Sequence, residues 1–395
     1  MDTFYFDFRD VFRAARIGLS GKKMWTLFLS LALAHFVYLV LGYLALLASG
    51  FSLQTIWGSY GLFPVAVVDQ FAWYSWLLFG AAIILCIIIF LFASAIVARI
   101  TFQQLKGDEL CAFSEAYRFS KRHWKAVVVT PFSYIVIVAF IVLCGLILGL
   151  VARIPYVGEL GFSIFLVPIV FVAIFIVFMA VVAVFSFILS PAIVATAGED
   201  TMETGIQNFS IVWSQTWRLV VYEAILKATT AVGFYVLSLI TFIALVLTYW
   251  VCGLFMGPKM AHIASKALGY LPASCPFFEN FTQYFWIPSL SPWLPTLPIP
   301  GKMGITGEIS AIICGVSLVL VMWGVVSYSW STLTAGQAII YLILRKKKDD
   351  ENLLDREEEE EDKSINLEGS EARPGENEEG GGLSETGSLQ VNENT

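Results

Sequence analysis

Six long apolar segments, separated by shorter polar stretches, dominate the pattern of hydrophobic and polar positions along the chain. A helix needs about 20 mainly apolar residues to cross a membrane, and each segment reaches that length. The segments cover residues 25–48, 72–98, 126–151, 162–190, 220–250 and 310–343. The pattern therefore predicts an all-α polytopic membrane protein with six transmembrane helices.

The polar stretch at residues 107–128 carries a second pattern. Apolar side chains recur at helical spacing on one side and charged side chains occupy the rest, which predicts an amphipathic helix lying in the membrane interface. The apolar positions are Leu110, Phe113, Tyr117 and Trp124, and the charged ones are Glu115, Arg118, Lys121, Arg122 and Lys125.

Residues 8–25 and 200–217 resemble this stretch, because each is an amphipathic segment that ends in a Trp before an apolar span. The spans that return also end alike, which indicates an internal repeat. Their closing segments are Ser94-Ala95-Ile96-Val97-Ala98, Pro191-Ala192-Ile193-Val194-Ala195 and Gln337-Ala338-Ile339-Ile340-Tyr341. Ala, Ile and Val also recur by chance in membrane proteins, and that alternative stays open.

The repeat predicts three helical hairpins, each preceded by a cytoplasmic interfacial amphipathic helix. The first two units cover residues 1–100 and 101–196. The third covers 197–345 and includes a long external loop at 251–308, rich in aromatic residues and proline. Residues 346–395 follow as a separate tail.

Composition supports a membrane protein, since 58% of the residues are hydrophobic and only 14% are charged. Soluble domains carry about 25% charged residues, so the sequence argues against a soluble protein. The formal net charge of −7 comes from the tail, where residues 349–395 hold 17 acidic and three basic side chains. Such a segment cannot bury enough apolar surface to fold, so we expect a disordered acidic tail that could dock a protein partner.

Lys and Arg concentrate before the first span, in residues 99–125 and just after the last span. Basic residues near span ends favour the cytoplasmic side. Both termini are therefore expected in the cytoplasm.

Three ionisable residues lie within the predicted spans: His35, Glu223 and Lys227. Such residues are candidates for function because their burial in lipid is costly. Glu223 and Lys227 are four residues apart, a spacing that suits an ion pair on one helix face. Lys227 could instead extend its ammonium to the membrane surface.

Arg118, Lys121, Arg122 and Lys125 are candidates for contact with anionic lipid, since each basic residue near such a surface contributes about 1 kcal/mol. Orientation alone would also explain them.

Cys252 and Cys275 share the predicted external loop and could form a disulfide in an oxidising compartment. The three His residues have no neighbouring ligands at metal-binding spacing, so we expect no metal or cofactor. Neither a catalytic constellation nor a nucleic-acid-binding motif is visible, and we expect no enzymatic activity and no nucleic-acid partner.

The segment Phe113-Ser114-Glu115-Ala116-Tyr117-Arg118, followed by Trp124-Lys125, resembles segments of uncharacterised multi-span bacterial inner-membrane proteins. These are similar to the membrane domain that accompanies some glycerophosphodiester phosphodiesterases. The resemblance extends over about residues 100–345 and implies a bacterial inner-membrane protein. The catalytic domain of those phosphodiesterases is absent, so no active-site residues are carried over.

Two functions agree with these patterns. The first is a non-enzymatic module that interacts with lipid or forms a scaffold for partners. The second is a transporter or permease for a lipid or a small apolar solute, which repeats and proline-interrupted spans favour.

Overall fold

This computed structural model describes residues 4–64, 72–108, 111–270, 304–350 and 352–355, which form helices α1 to α11 and their connections. Within that part no strand occurs. The helices are α1 Phe8–Gly18, α2 Gly21–Ala48, α3 Leu53–Tyr60, α4 Trp73–Lys106, α5 Phe113–Arg122, α6 Trp124–Ala152, α7 Val157–Ile164, α8 Leu166–Ala197, α9 Thr201–Met256, α10 Pro258–Tyr270 and α11 Ile305–Asp349. The tail beyond residue 355 lies outside the described residues, so its disorder stays a prediction.

Six of these helices are long and apolar enough to cross a membrane: α2, α4, α6, α8, α9 and α11. This confirms the predicted all-helical fold with six helices of that kind. Several of these helices extend beyond the predicted spans, since residues outside the apolar segments are helical as well. Gly107 and Gly198 end α4 and α8 in the left-handed region, at φ 109° and φ 70°. Glycine adopts that conformation without a steric penalty, which makes it a common helix terminator.

Helix α11 lies at the centre of the bundle and packs against α1, α2, α4, α8, α9 and α10. Residues 334–344 of α11 are all buried. A helix that is apolar on all sides lies either in a protein core or in a membrane, and this stretch of α11 lies in the protein core. Around it, α2 packs along α4 and α6 packs along α8.

Helix α1 packs closely on α11 and α9. Val11 and Ala14 are fully buried, and Ser331 Oγ donates a hydrogen bond of 2.8 Å to the Gly18 carbonyl oxygen. A Cβ atom on Gly18 would lie 2.6 Å from the Thr332 Cα atom. This segment was expected to lie in the membrane interface, and the structure shows that one of its faces is part of the protein core.

The amphipathic helix predicted at residues 107–128 is shorter than expected. Helix α5 begins at Phe113, and the chain leaves helical geometry at His123 (φ −99°, ψ 17°) before α6 begins at Trp124. The His123 ring lies 4.5 Å from the Phe119 ring, which holds the turn between the two helices.

One end of the bundle collects charged and polar contacts between helices, and we call it the basic end. Lys23 is fully buried there, and its Nζ donates to Gln104 Oε1 at 2.8 Å. Lys347 Nζ donates to Asp7 Oδ1 at 3.1 Å. Arg99 is also buried, with its guanidinium 4.0 Å from the centre of the Phe119 ring. In the sequence these basic residues indicated only the orientation of the protein in the membrane. In the structure some of them also form contacts between helices.

Candidate functional site

Helix α9 joins the third amphipathic segment to the fifth span, with a break at Gln215 (φ −132°, ψ 30°). The side of the first part that faces the protein is polar, with Thr204 and Asn208 fully buried. Met202 and Trp213 are exposed, at 79% and 67%, whereas Ile211 and Val212 are buried. Unlike a helix of a soluble protein, this segment buries several polar side chains and exposes large apolar ones.

Buried hydrogen bonds fix this polar side of α9 to its neighbours. Asn208 Nδ2 donates to Ser190 Oγ at 2.9 Å, which connects α9 to α8. The Tyr341 hydroxyl donates to Gln207 Oε1, which connects α9 to α11. Hydrogen bonds between buried groups are strongly favoured, because leaving a buried donor or acceptor unpaired costs about 1–3 kcal/mol. They hold three helices in a fixed arrangement beside a cavity.

The cavity lies between α4, α8, α9 and α11, has a volume of about 340 Å³ and is partly open. Its walls are mainly apolar, with contributions from Leu91 and Phe187. Trp330 forms part of the wall, and its Nε1 donates to Ser94 Oγ at 3.1 Å. Ser94 also lines the cavity, together with Pro191.

Ser94, Pro191 and Gln337 are the first residues of the three closing segments found in the sequence. All three line this one cavity. Positions that correspond in the three predicted units therefore meet at the same place in the structure, although they are up to 243 residues apart in the chain.

Glu223 and Lys227, two of the predicted intramembrane polar residues, both line the cavity. The Glu223 side chain is 3% exposed, and neither of its carboxylate oxygens has a hydrogen-bond partner in the described part of the chain. Gln337 and Lys227 are the neighbours that interact with its charge. Lys227 is exposed.

The predicted ion pair between Glu223 and Lys227 is not formed as a direct contact. Both Glu223 oxygens are withdrawn from the surface, whereas Lys227 is exposed. Four-residue spacing brings two side chains to one face of a helix, but it does not decide which of them is buried.

His35, the third predicted polar residue, does not line the cavity. Its ring lies 4.7 Å from the Phe63 ring and 4.8 Å from the Trp323 ring. These aromatic contacts give His35 a packing role between α2 and α11.

Arg118, Lys121, Arg122 and Lys125 are all exposed, and we call them the basic patch. Phe113, Tyr117 and Trp124 are exposed beside them, at 46%, 42% and 46%. Ala116 and Ser120 form the buried side of α5. The basic patch thus lies away from the cavity, on a surface that combines cationic and aromatic side chains.

Cys252 lies near the end of α9 and is half-buried. Cys275 lies outside the described residues, so the disulfide stays a prediction. Among the residues that are described, no group of His, Cys, Asp and Glu side chains could hold a metal ion.

Sequence reasoning missed the cavity residues contributed by other helices, above all Gln337 and Trp330. Gln337 was visible as the opening residue of a closing segment, and a polar residue in an apolar span was the available signal. Trp330 gave no such signal, because aromatic residues are frequent throughout this chain.

No protein-family model, curated protein or solved structure matches this chain. The resemblance carried by the α5 segment therefore stays a prediction, and the functional argument depends on the geometry of the cavity.

Proposed function

We propose that this protein is a non-enzymatic, lipid-interacting membrane protein whose cavity binds the apolar part of an amphiphile from the surrounding bilayer. The observation that carries the proposal is the partly open, mainly apolar cavity of about 340 Å³ between four candidate membrane-spanning helices. Ligand pockets commonly have volumes of about 300–1,000 Å³ and apolar walls with a few polar groups. An acyl chain or a similar apolar group fits that description.

In the proposed topology, three hairpins cross the inner membrane of a bacterium, each following an amphipathic helix, with both termini in the cytoplasm. The contacts of α2 with α4, α6 with α8 and α9 with α11 support the hairpins. The convergence of Ser94, Pro191 and Gln337 on one cavity supports the repeat. Concentration of basic residues at one end supports the cytoplasmic assignment of that end.

The basic patch is proposed to contact anionic lipid headgroups, with the exposed aromatic residues of α5 at the same depth. Its four cationic side chains are exposed, as such contact requires. The acidic tail is proposed to serve as a docking segment for a protein partner, which would give the molecule a scaffolding role beside lipid binding.

Photo-crosslinking in proteoliposomes tests the lipid-binding proposal. A phospholipid with a photoactivatable group on its acyl chain should label residues that line the cavity, as mapped by mass spectrometry. Ile87→Trp places a larger side chain at the cavity wall and should reduce that labelling. Ile83→Trp is the matched control, one turn earlier on α4, exposed and outside the cavity lining. Equal labelling of both variants would contradict the proposal.

Transport of a lipid or a small apolar solute is the second candidate. It is favoured by two helix irregularities, Pro191 within α8, which lines the cavity, and the break at Gln215 in α9. Proline removes a backbone hydrogen bond and weakens the helix locally, as is common in transporters. Flux or lipid flipping in proteoliposomes that depends on this protein would establish transport, and binding without flux would leave the first proposal.

A further inference from the structure

The charge that the cavity presents to a ligand is set by one residue. Lys227 lines the cavity and is exposed, and the structure gives its ammonium no hydrogen bond or ion pair among the described residues. An ammonium held at the level of the hydrocarbon core is costly unless it reaches water or an opposite charge. Glu223 interacts with Lys227 electrostatically but forms no ion pair with it, so the exposed Lys227 ammonium is available to a negatively charged group in the cavity.

Glu223, the other charged residue of the lining, does not compete for a ligand in the same way. Both of its carboxylate oxygens have almost no accessible surface, so a ligand in the cavity cannot contact them in this conformation. The polar groups of Ser94 and Thr334 in the lining are neutral. The accessible polar surface of the cavity is thus dominated by a single cation.

We propose that the cavity selects amphiphiles with an anionic headgroup, a carboxylate or a phosphate, which pairs with Lys227 while the apolar chain lies along Leu91, Phe187 and Trp330. This inference rests on the proposed lipid binding and specifies its ligand class. Pairing of an ammonium with an oxyanion is strong when the surroundings exclude water, as apolar cavity walls do.

The test compares ligands that share one chain and differ in their headgroup. Purified full-length protein in detergent is titrated with a saturated long-chain fatty acid, the corresponding lysophosphatidic acid, the alcohol and the amine, and affinities are measured by native mass spectrometry. We expect at least one of the two anionic ligands to bind roughly tenfold or more tightly than the alcohol, which is the range for a charge-assisted hydrogen bond. Which of the two binds distinguishes a carboxylate from a phosphate source.

Lys227→Gln should abolish the preference for the anionic ligand and leave alcohol binding unchanged, whereas Lys227→Arg should retain the preference. Glu223→Gln removes a nearby negative charge and should keep or increase it. If all four ligands bind the wild-type protein equally, or the amine binds best, the inference is overturned while lipid binding stands. If none of them binds, both proposals fail.

Discussion

Replacing Gly18 with alanine tests the close packing of α1 on α11. The added Cβ atom would lie 2.6 Å from the Thr332 Cα atom and 2.8 Å from its backbone nitrogen, distances that no rotamer change can relieve. Overpacking of this kind costs about 1–3 kcal/mol. Displacing α1 would also weaken the hydrogen bond from Ser331 to the Gly18 carbonyl, worth about 1 kcal/mol. Alanine's better helix propensity returns at most about 1 kcal/mol.

The net expectation is a loss of about 1–3 kcal/mol in the free energy of unfolding. Thermal unfolding of the purified protein in detergent measures the change, and limited proteolysis of the N-terminal segment reports whether α1 has detached. Gly21→Ala is the matched control, because nothing lies within 4 Å of a Cβ atom there.

The Gly18→Ala result also distinguishes a backbone contact from a side-chain contact. Since two of the three nearest atoms belong to the Thr332 backbone, a second change, Thr332→Ala, should not restore stability. If Gly18→Ala is as stable as Gly21→Ala, or if Thr332→Ala rescues it, the argument for close backbone packing is wrong.

Three further predictions concern chemistry and lipid contact. Burial, with smaller contributions from Glu115 and Asp108, raises the pKa of the Cys111 thiol, so its alkylation near neutral pH should be much slower in the folded than in the unfolded protein. Glu115→Gln removes a negative charge and lowers that pKa, so it should speed the alkylation of Cys111. Site-resolved mass spectrometry measures the rates, and equal rates in folded and unfolded protein would disprove burial of the thiol. Glu223→Leu should leave stability in detergent unchanged or raise it by about 1–3 kcal/mol, because it removes a buried carboxylate that makes no hydrogen bond of normal geometry. A marked loss would show that the interactions of Glu223 with Gln337 and Lys227 stabilise the fold. Alanine at the four basic-patch positions should weaken the preference for anionic over zwitterionic lipid by up to about 1 kcal/mol per residue, as measured by competitive lipid binding. An unchanged preference would show that these residues only determine the orientation of the protein in the membrane.

The six long apolar helices were predictable because their lengths and composition follow from the cost of placing backbone polar groups in lipid. Helix α6, predicted at residues 126–151 and found at Trp124–Ala152, agrees closely. Helix α9 contains the two predicted helices, the amphipathic segment and the span, which meet at a break at Gln215 a few residues before the predicted start of the span. No glycine or proline marks that break, and local propensity could not locate it.

Half of the candidate site was visible in the sequence. Glu223 and Lys227 were conspicuous as charges within an apolar span, and the structure brings both to the cavity. Which of the two is buried depends on how α9 is rotated against α8 and α11. His35 was equally conspicuous but lies among aromatic rings elsewhere. A charge in a span indicates a position of interest, and the surrounding helices decide whether a cavity is there.

The sequence by itself determined the all-helical character, the six long apolar helices and the segregation of charge, because these depend on the preferences of each segment for lipid or water. Only the tertiary structure decided that Lys23 and Arg99 are buried among helices and that Gly18 contacts the Thr332 backbone. It also brought Ser94, Pro191 and Gln337 to one cavity. These features depend on contacts between residues far apart in the chain, and hydrophobic patterning fixes which segments are apolar without fixing which of their faces meet.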